Sequence, residues 1–183
     1  KYGKDPVRWY LIKDITLGND GDFQNKRFVD IVNNDLANTI GNLLNRTSSM
    51  SRKWFKNKIP NYESNSIDNK LVTLSKKTID VYIDNFNSYK IDLAAHNVLN
   101  LAINTNLYLN DMQPWLLIKE KENIPVVKGI IYNVLESTRI IGLLLMPILP
   151  EFSSKIDAQL GYIYNKEEKW INAKLEKLSE PFV

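Results

Sequence analysis

The chain has 183 residues, 44% of them apolar and 25% charged, with a formal charge of +3 at pH 7. That is the balance of one globular domain, with or without an appendage. Zero cysteines exclude disulfides and thiolate metal sites, a single histidine argues against a His-based metal or triad site, and +3 is too small to signal nucleic acid by itself.

Seven glycines and seven prolines, about 8% of the chain against roughly 12% on average, favour long helices. Asparagine, at 22 residues, is unusually frequent and fits a compositionally biased genome. The first 20 residues are charged and lack the apolar core of a signal peptide. The longest apolar run, Ile140 to Leu149, is too short for a bilayer and sits near Glu136 and Arg139, so it predicts a buried core helix. Without an export signal or cysteine, the expected address is the cytoplasm, with no membrane partner.

In chain order, Asp5 to Ile12 predicts a short helix, with Asp5 at the N-cap and Pro6 at the first helical position. Gly18 to Asp22 is a turn cluster and a candidate boundary. Gln24 to about Trp54 reads as a long amphipathic helix. Val32, Leu36, Ile40, Leu43, Thr47, Met50 and Trp54 fall within an arc of about 80° at 100° per residue. Asp35, Asn38, Asn42, Arg46, Ser49 and Lys53 form an orderly polar stripe opposite. Lys56 to Ser66 reads as a loop, and Ile67 to Asn87 as the next helix. Tyr89 to Met112 follows, ended or kinked by Pro114. Pro125 to Met146 and Glu151 to Leu160 complete the set, the last capped by Gly161, before a charged tail. The fold class is all-α, a helical bundle of about five helices.

Little here suits catalysis. His96, among Ala94, Ala95 and Val98, reads as a core or groove histidine rather than a general base, and no Gly-rich phosphate cradle is present. Two features suggest binding. Asn38, Asn42 and Arg46 share one helix face at i, i+4 spacing. Asn presents a donor and an acceptor at one tip and Arg a planar fork, a pairing able to read the edge of an unpaired base. A merely solvated polar face has the same pattern. Pro114-Trp115 at a helix end could be a rigid stacking platform worth roughly 1–3 kcal/mol per base, or a core Trp plugging the bundle. Arg52, Lys53, Lys56 and Lys58 could hold phosphates, or simply offset a helix dipole.

Longer phrases carry a resemblance. Asn34 to Arg46 (N-D-L-A-N-T-I-G-N-L-L-N-R) resembles the first long helix of the anticodon-binding domain in the methionyl-tRNA synthetase family. Tyr2 to Leu11 is similar to its Y-G-x-D-x-x-R-Y-Y-L, with Trp9 in place of the first of the paired tyrosines. Gly21-Asp22-Phe23, Asn106 to Trp115, Met146 to Pro150 and Glu180 to Val183 resemble its G-D-F, N-x-Y-I-D-x-x-x-P-W, M-x-P-x-x-P or L-x-P-x-x-P, and E-P-L-F in order. The resemblance covers essentially the whole chain. Related valine, isoleucine and leucine enzymes share the bundle, and a structural or protein-interaction bundle without RNA is the rival outside this class.

The resemblance implies that Asn42, Arg46 and Trp115, with Pro114 as support, contact the anticodon CAU of tRNA(Met). The family's acidic residue five before the Trp is Asn110 here, with Asp111 next to it. The family's H-I-G-H and K-M-S-K-S motifs and its metal knuckle are absent from the sequence, so the expected piece is a C-terminal fragment without catalytic residues or cofactor of its own. ATP and Mg²⁺ would serve the parent ligase, whose catalytic domain is the other expected partner. The implied organisation is residues 1–22 as the remnant of the stem-contact element, 23–161 as the anticodon-binding bundle, and 162–183 as a tail returning toward the catalytic half.

Overall fold

Helix ends in this chain are set by a few residues whose backbone cannot continue a helix, and these corners define the architecture. A computed structural model describes residues 2–15, 18–56, 58, 60 and 70–160. The Gly161 cap and the 162–183 tail lie outside the described residues. The elements are α1 (Lys4–Asp14), α2 (Asn25–Ile31), a π-helical segment (Val32–Gly41), α3 (Asn42–Phe55), α4 (Lys70–Asn87), α5 (Ile91–Met112), α6 (Pro114–Leu117), α7 (Ile124–Leu145) and α8 (Pro150–Leu160). Residues 25–55 run as one continuous rod, so the described residues form six helices of eleven residues or more. The six agree closely with the periodicity reading. The four-residue α6 was not anticipated. No strand occurs among the described residues.

The axis of the bundle is α7, in which every residue from Asn133 to Leu145 is buried. Helices α3, α4, α5 and α8 pack around it, and α1 lies against α5 and the π segment. The core joins Ile40 and Leu43 to Val98, Leu101 and Leu109 of α5 and to Ile130, Ile140, Ile141 and Leu144 of α7. Each such side chain contributes roughly 1.5–3 kcal/mol on full burial. Among the described residues no helix is long and apolar enough to cross a membrane. Ile148 and Leu149 are buried, so the apolar run continues the core past the end of α7.

Two expectations need correcting, and the π segment accounts for one. Asp35, expected on the polar stripe, is buried: Trp9 Nε1 donates to its Oδ2 at 2.9 Å, and Lys13 forms an ion pair with it. In a π turn hydrogen bonds span five residues instead of four. That wider turn carries Asp35 inward together with Val32, Leu36 and Ile40. The second correction is Asp5. It does not cap its own helix, whose N-cap is Gly3 with no side-chain bond. Its buried carboxylate instead accepts the Phe152 backbone N–H at 2.8 Å, capping the first turn of α8 from 147 residues away.

Candidate nucleic-acid interface

Asn42 and Arg46 open α3 and lie one turn apart on the side away from the core. Asn42 and Asn38 are exposed, and neither side chain bonds another described residue. Arg46 is half-buried and held across the groove to α5. Its Nη2 donates to Asn110 Oδ1 at 2.8 Å, and its Nη1 to Asn106 Oδ1 at 3.5 Å. Asn106 also donates through Nδ2 to Thr39 O and Ala102 O, each at 3.1 Å. Two i, i+4 pairs on facing helices, 42/46 and 106/110, therefore meet through the guanidinium.

The α5–α6 corner places Trp115 beside this pair. Gln113 adopts the left-handed region at φ 43°, which few non-glycine residues do, and Pro114 cannot extend α5. Pro114 is buried, and Trp115 keeps 38% of its surface exposed. The ring thus lies at the surface rather than plugging the core. The Arg46 guanidinium carbon lies 5.8 Å from its centroid, within cation–π range.

The basic residues Arg52, Lys53 and Lys56, with Lys58, are all exposed around the C-terminal end of α3. Lys56 takes the left-handed conformation that ends the helix. Trp54 and Phe55, at the same helix end, pack against the buried Val127, Ile131 and Leu135 of α7, as do Leu117 and Ile118. Lys53 follows Arg46 by two turns on the same face. His96, expected in the core or a groove, is exposed on α5, and its Nδ1 donates to Asp92 O at 2.7 Å.

Residue chemistry and motif point to Arg46 and Trp115 but assign Asn106 and Asn110 no contact. Their i, i+4 spacing was visible; that they face Arg46 depends on how α5 crosses α3. At position 110, Asn110 supplies a neutral acceptor to Arg46, and Asp111, exposed next to it, forms no ion pair with a described residue.

Comparison with known proteins identifies the family. Residues 60–181 match the family model for the anticodon binding domain of methionyl tRNA ligase, and residues 1–48 match the class I tRNA synthetase (M) model. The chain is 35% identical over 172 residues to methionine–tRNA ligase 1 of Bacillus anthracis, covering 93% of this chain and 26% of that protein. It is 38% identical over 164 residues to the methionine–tRNA ligase of Thermosynechococcus vestitus, covering 88% and 31%. The structure of apo methionyl-tRNA synthetase from Mycobacterium tuberculosis superposes with a TM-score of 0.85 at 26% identity, over 98% of this chain and 36% of that one. The chain thus spans about a quarter to a third of the length of these relatives. With family models matched from end to end of the bundle, the chain belongs to the methionyl-tRNA synthetase family and carries its anticodon-binding domain.

Proposed function

We propose that this chain binds the anticodon loop of tRNA(Met) and reads the CAU triplet, within a ligase that joins methionine to that tRNA. One observation carries the reading: Arg46 is held by Asn110 at 2.8 Å while standing 5.8 Å from the exposed Trp115 ring, with exposed Asn42 one turn away. A base splayed from the loop stacks on Trp115. Two guanidinium donors are engaged by Asn106 and Asn110, so three N–H groups remain for a base edge beside the Asn42 amide. A wrong base leaves one of these groups unpaired once water is excluded, which penalises it. Arg52, Lys53 and Lys56 hold phosphates and add affinity without selectivity.

ATP and Mg²⁺ belong to a catalytic half that this chain does not span. The residues here do not fit a metal: no group of three His, Asp or Glu among the described residues could hold one. No step of the recognition runs through either group. Residues 1–22 adjoin that catalytic half, and Val7 and Leu11, exposed one turn apart on α1, are the surface proposed for it. The setting is the cytoplasm, where tRNA is charged.

The test is a titration of two anticodon stem-loops, CAU and a one-base variant, at two salt concentrations with wild type, Arg46→Gln and Lys53→Gln. Wild type should prefer CAU. Arg46→Gln should shrink that preference by roughly 1–3 kcal/mol, on the scale known for two-point base contacts. Lys53→Gln should weaken both loops alike and flatten the salt dependence. Equal weakening of both loops by Arg46→Gln would make Arg46 a phosphate contact.

A further inference from the structure

The base-reading pair begins where an unusual piece of backbone ends. The ten residues Val32–Gly41 are π-helical, and α3 starts at Asn42. At that junction the Asn42 N–H is shared between Ala37 O, five residues back, and Thr39 O, three back. Thr39 Oγ1 likewise reaches five residues back to Asn34 O at 2.7 Å. We propose that this π-to-α junction, permitted by Gly41 and clamped by Asn106, aims Asn42 and Arg46 at the base, so that Gly41 and Asn106 are positioning residues for anticodon discrimination. The proposal rests on the anticodon-reading function above.

Two independent observations support it. A Cβ on Gly41 would stand 3.0 Å from Leu36 O, a backbone atom that cannot swing aside as a side chain could. Any larger residue would require that carbonyl, fixed in the π turn, to give by a few tenths of an ångström. Asn106, from α5, joins the junction to the guanidinium through one amide. Its NH₂ donates to Thr39 O at 3.1 Å, and its oxygen accepts from Arg46. The same NH₂ also binds Ala102 O, which fixes the amide's orientation. A group with a donor and an acceptor at one tip is required, and a carboxylate would set oxygen against the two carbonyls. The stakes are rotational: slipping the exit by one residue turns α3 by about 100° and swings Arg46 away from Trp115.

The experiment uses the 183-residue chain with Gly41→Ala and Asn106→Asp, each checked by circular dichroism and a thermal melt. The readout is the ratio of Kd values for the CAU stem-loop and a one-base variant, plus the salt slope. Both folded variants should lose about tenfold in that ratio, the scale of one two-point base contact, with the salt slope unchanged. Asn106→Asp is the sharper variant. It keeps, and charges, the acceptor for Arg46, so a role limited to holding Arg46 would preserve the ratio. An unchanged ratio in either folded variant overturns the proposal. Should Gly41→Ala fail to fold, Asn106→Asp decides alone; should Asn106→Asp fail, Asn106→Ser takes its place. A wild-type chain that does not distinguish the loops brings down the anticodon reading itself, and the proposal with it. A discriminating wild type with unchanged variants sinks the proposal only.

Discussion

Trp115 owes its place to the two residues before it. Gln113 bears a positive φ that costs a non-glycine residue on the order of 1–3 kcal/mol, and the buried Pro114 starts a new helix in a new direction. The strain is confined to the corner that turns the indole outward. Because Trp115 is exposed, Trp115→Ala should leave the melting temperature nearly unchanged while weakening the CAU stem-loop by roughly 1–3 kcal/mol, one stacked base. Titration beside a thermal melt checks both halves, and a variant that unfolds would make the ring a packing residue. Asparagine abundance takes on a local meaning at the same scale. Asn85 bonds Asn97, Asn104 bonds Asn100, and Asn106 and Asn110 hold Arg46. Whatever the origin of the bias, α5 puts several of these amides to use.

Among the elements, α8 shows best how a short helix depends on a distant partner. The Phe152 N–H lies in its first turn, where donors lack partners within the helix, and Asp5 supplies both an acceptor and a negative charge. Asp5→Ala should therefore cost roughly 1–2 kcal/mol, lowering Tm by a few degrees. Asp5→Asn, which keeps an oxygen acceptor, should lose less. Equal losses would show that charge alone matters. This bond marks the limit of reading along the chain. Periodicity located the long helices and the apolar face from Val32 to Trp54, because 3.6-residue spacing reports burial directly. It placed Asp5 at the nearest N-cap because local pattern carries no information about a partner 147 residues away. It put Asp35 with the polar residues because a constant 100° step cannot express a π turn. For the candidate interface, residue chemistry and motif point to Asn42, Arg46, Pro114 and Trp115. The Asn106–Arg46–Asn110 arrangement was not, since it is a property of how two helices cross.

For the whole molecule, the seam between α7 and α8 controls how stability responds to pH. Ser153 Oγ donates to Gly142 O at 2.7 Å, and a Cβ on Gly142 would press Ile156, so the helices meet closely. Acidic groups are caught in that seam. Burial pushes Asp157 from its ordinary 3.8 up to about 6, with Arg139 pulling it part of the way back. Burial also raises Glu136, despite its hydrogen bonds and ion pair with Arg139. An acid whose pKa is higher folded than unfolded binds protons more readily in the folded state. Stability therefore falls as pH rises from about 4 to 6 and stays lower above that window. Asp157→Asn should recover roughly 1–2 kcal/mol at neutral pH, a few degrees in Tm, and nothing at pH 4. Melts at both pH values check this; an equal gain at both would mean the carboxylate is not the cause. The Asp5–Phe152 bond has a further consequence, in time. During synthesis at about 5–20 residues per second, the 147 residues between these partners take roughly 7–30 s to be made. Until α8 is made, α1 can pack only on the helices between, on α5 and on the π segment, where Trp9 and Lys13 hold Asp35. The contact of α1 with α8 is thus one that can close only after the intervening helices have been made.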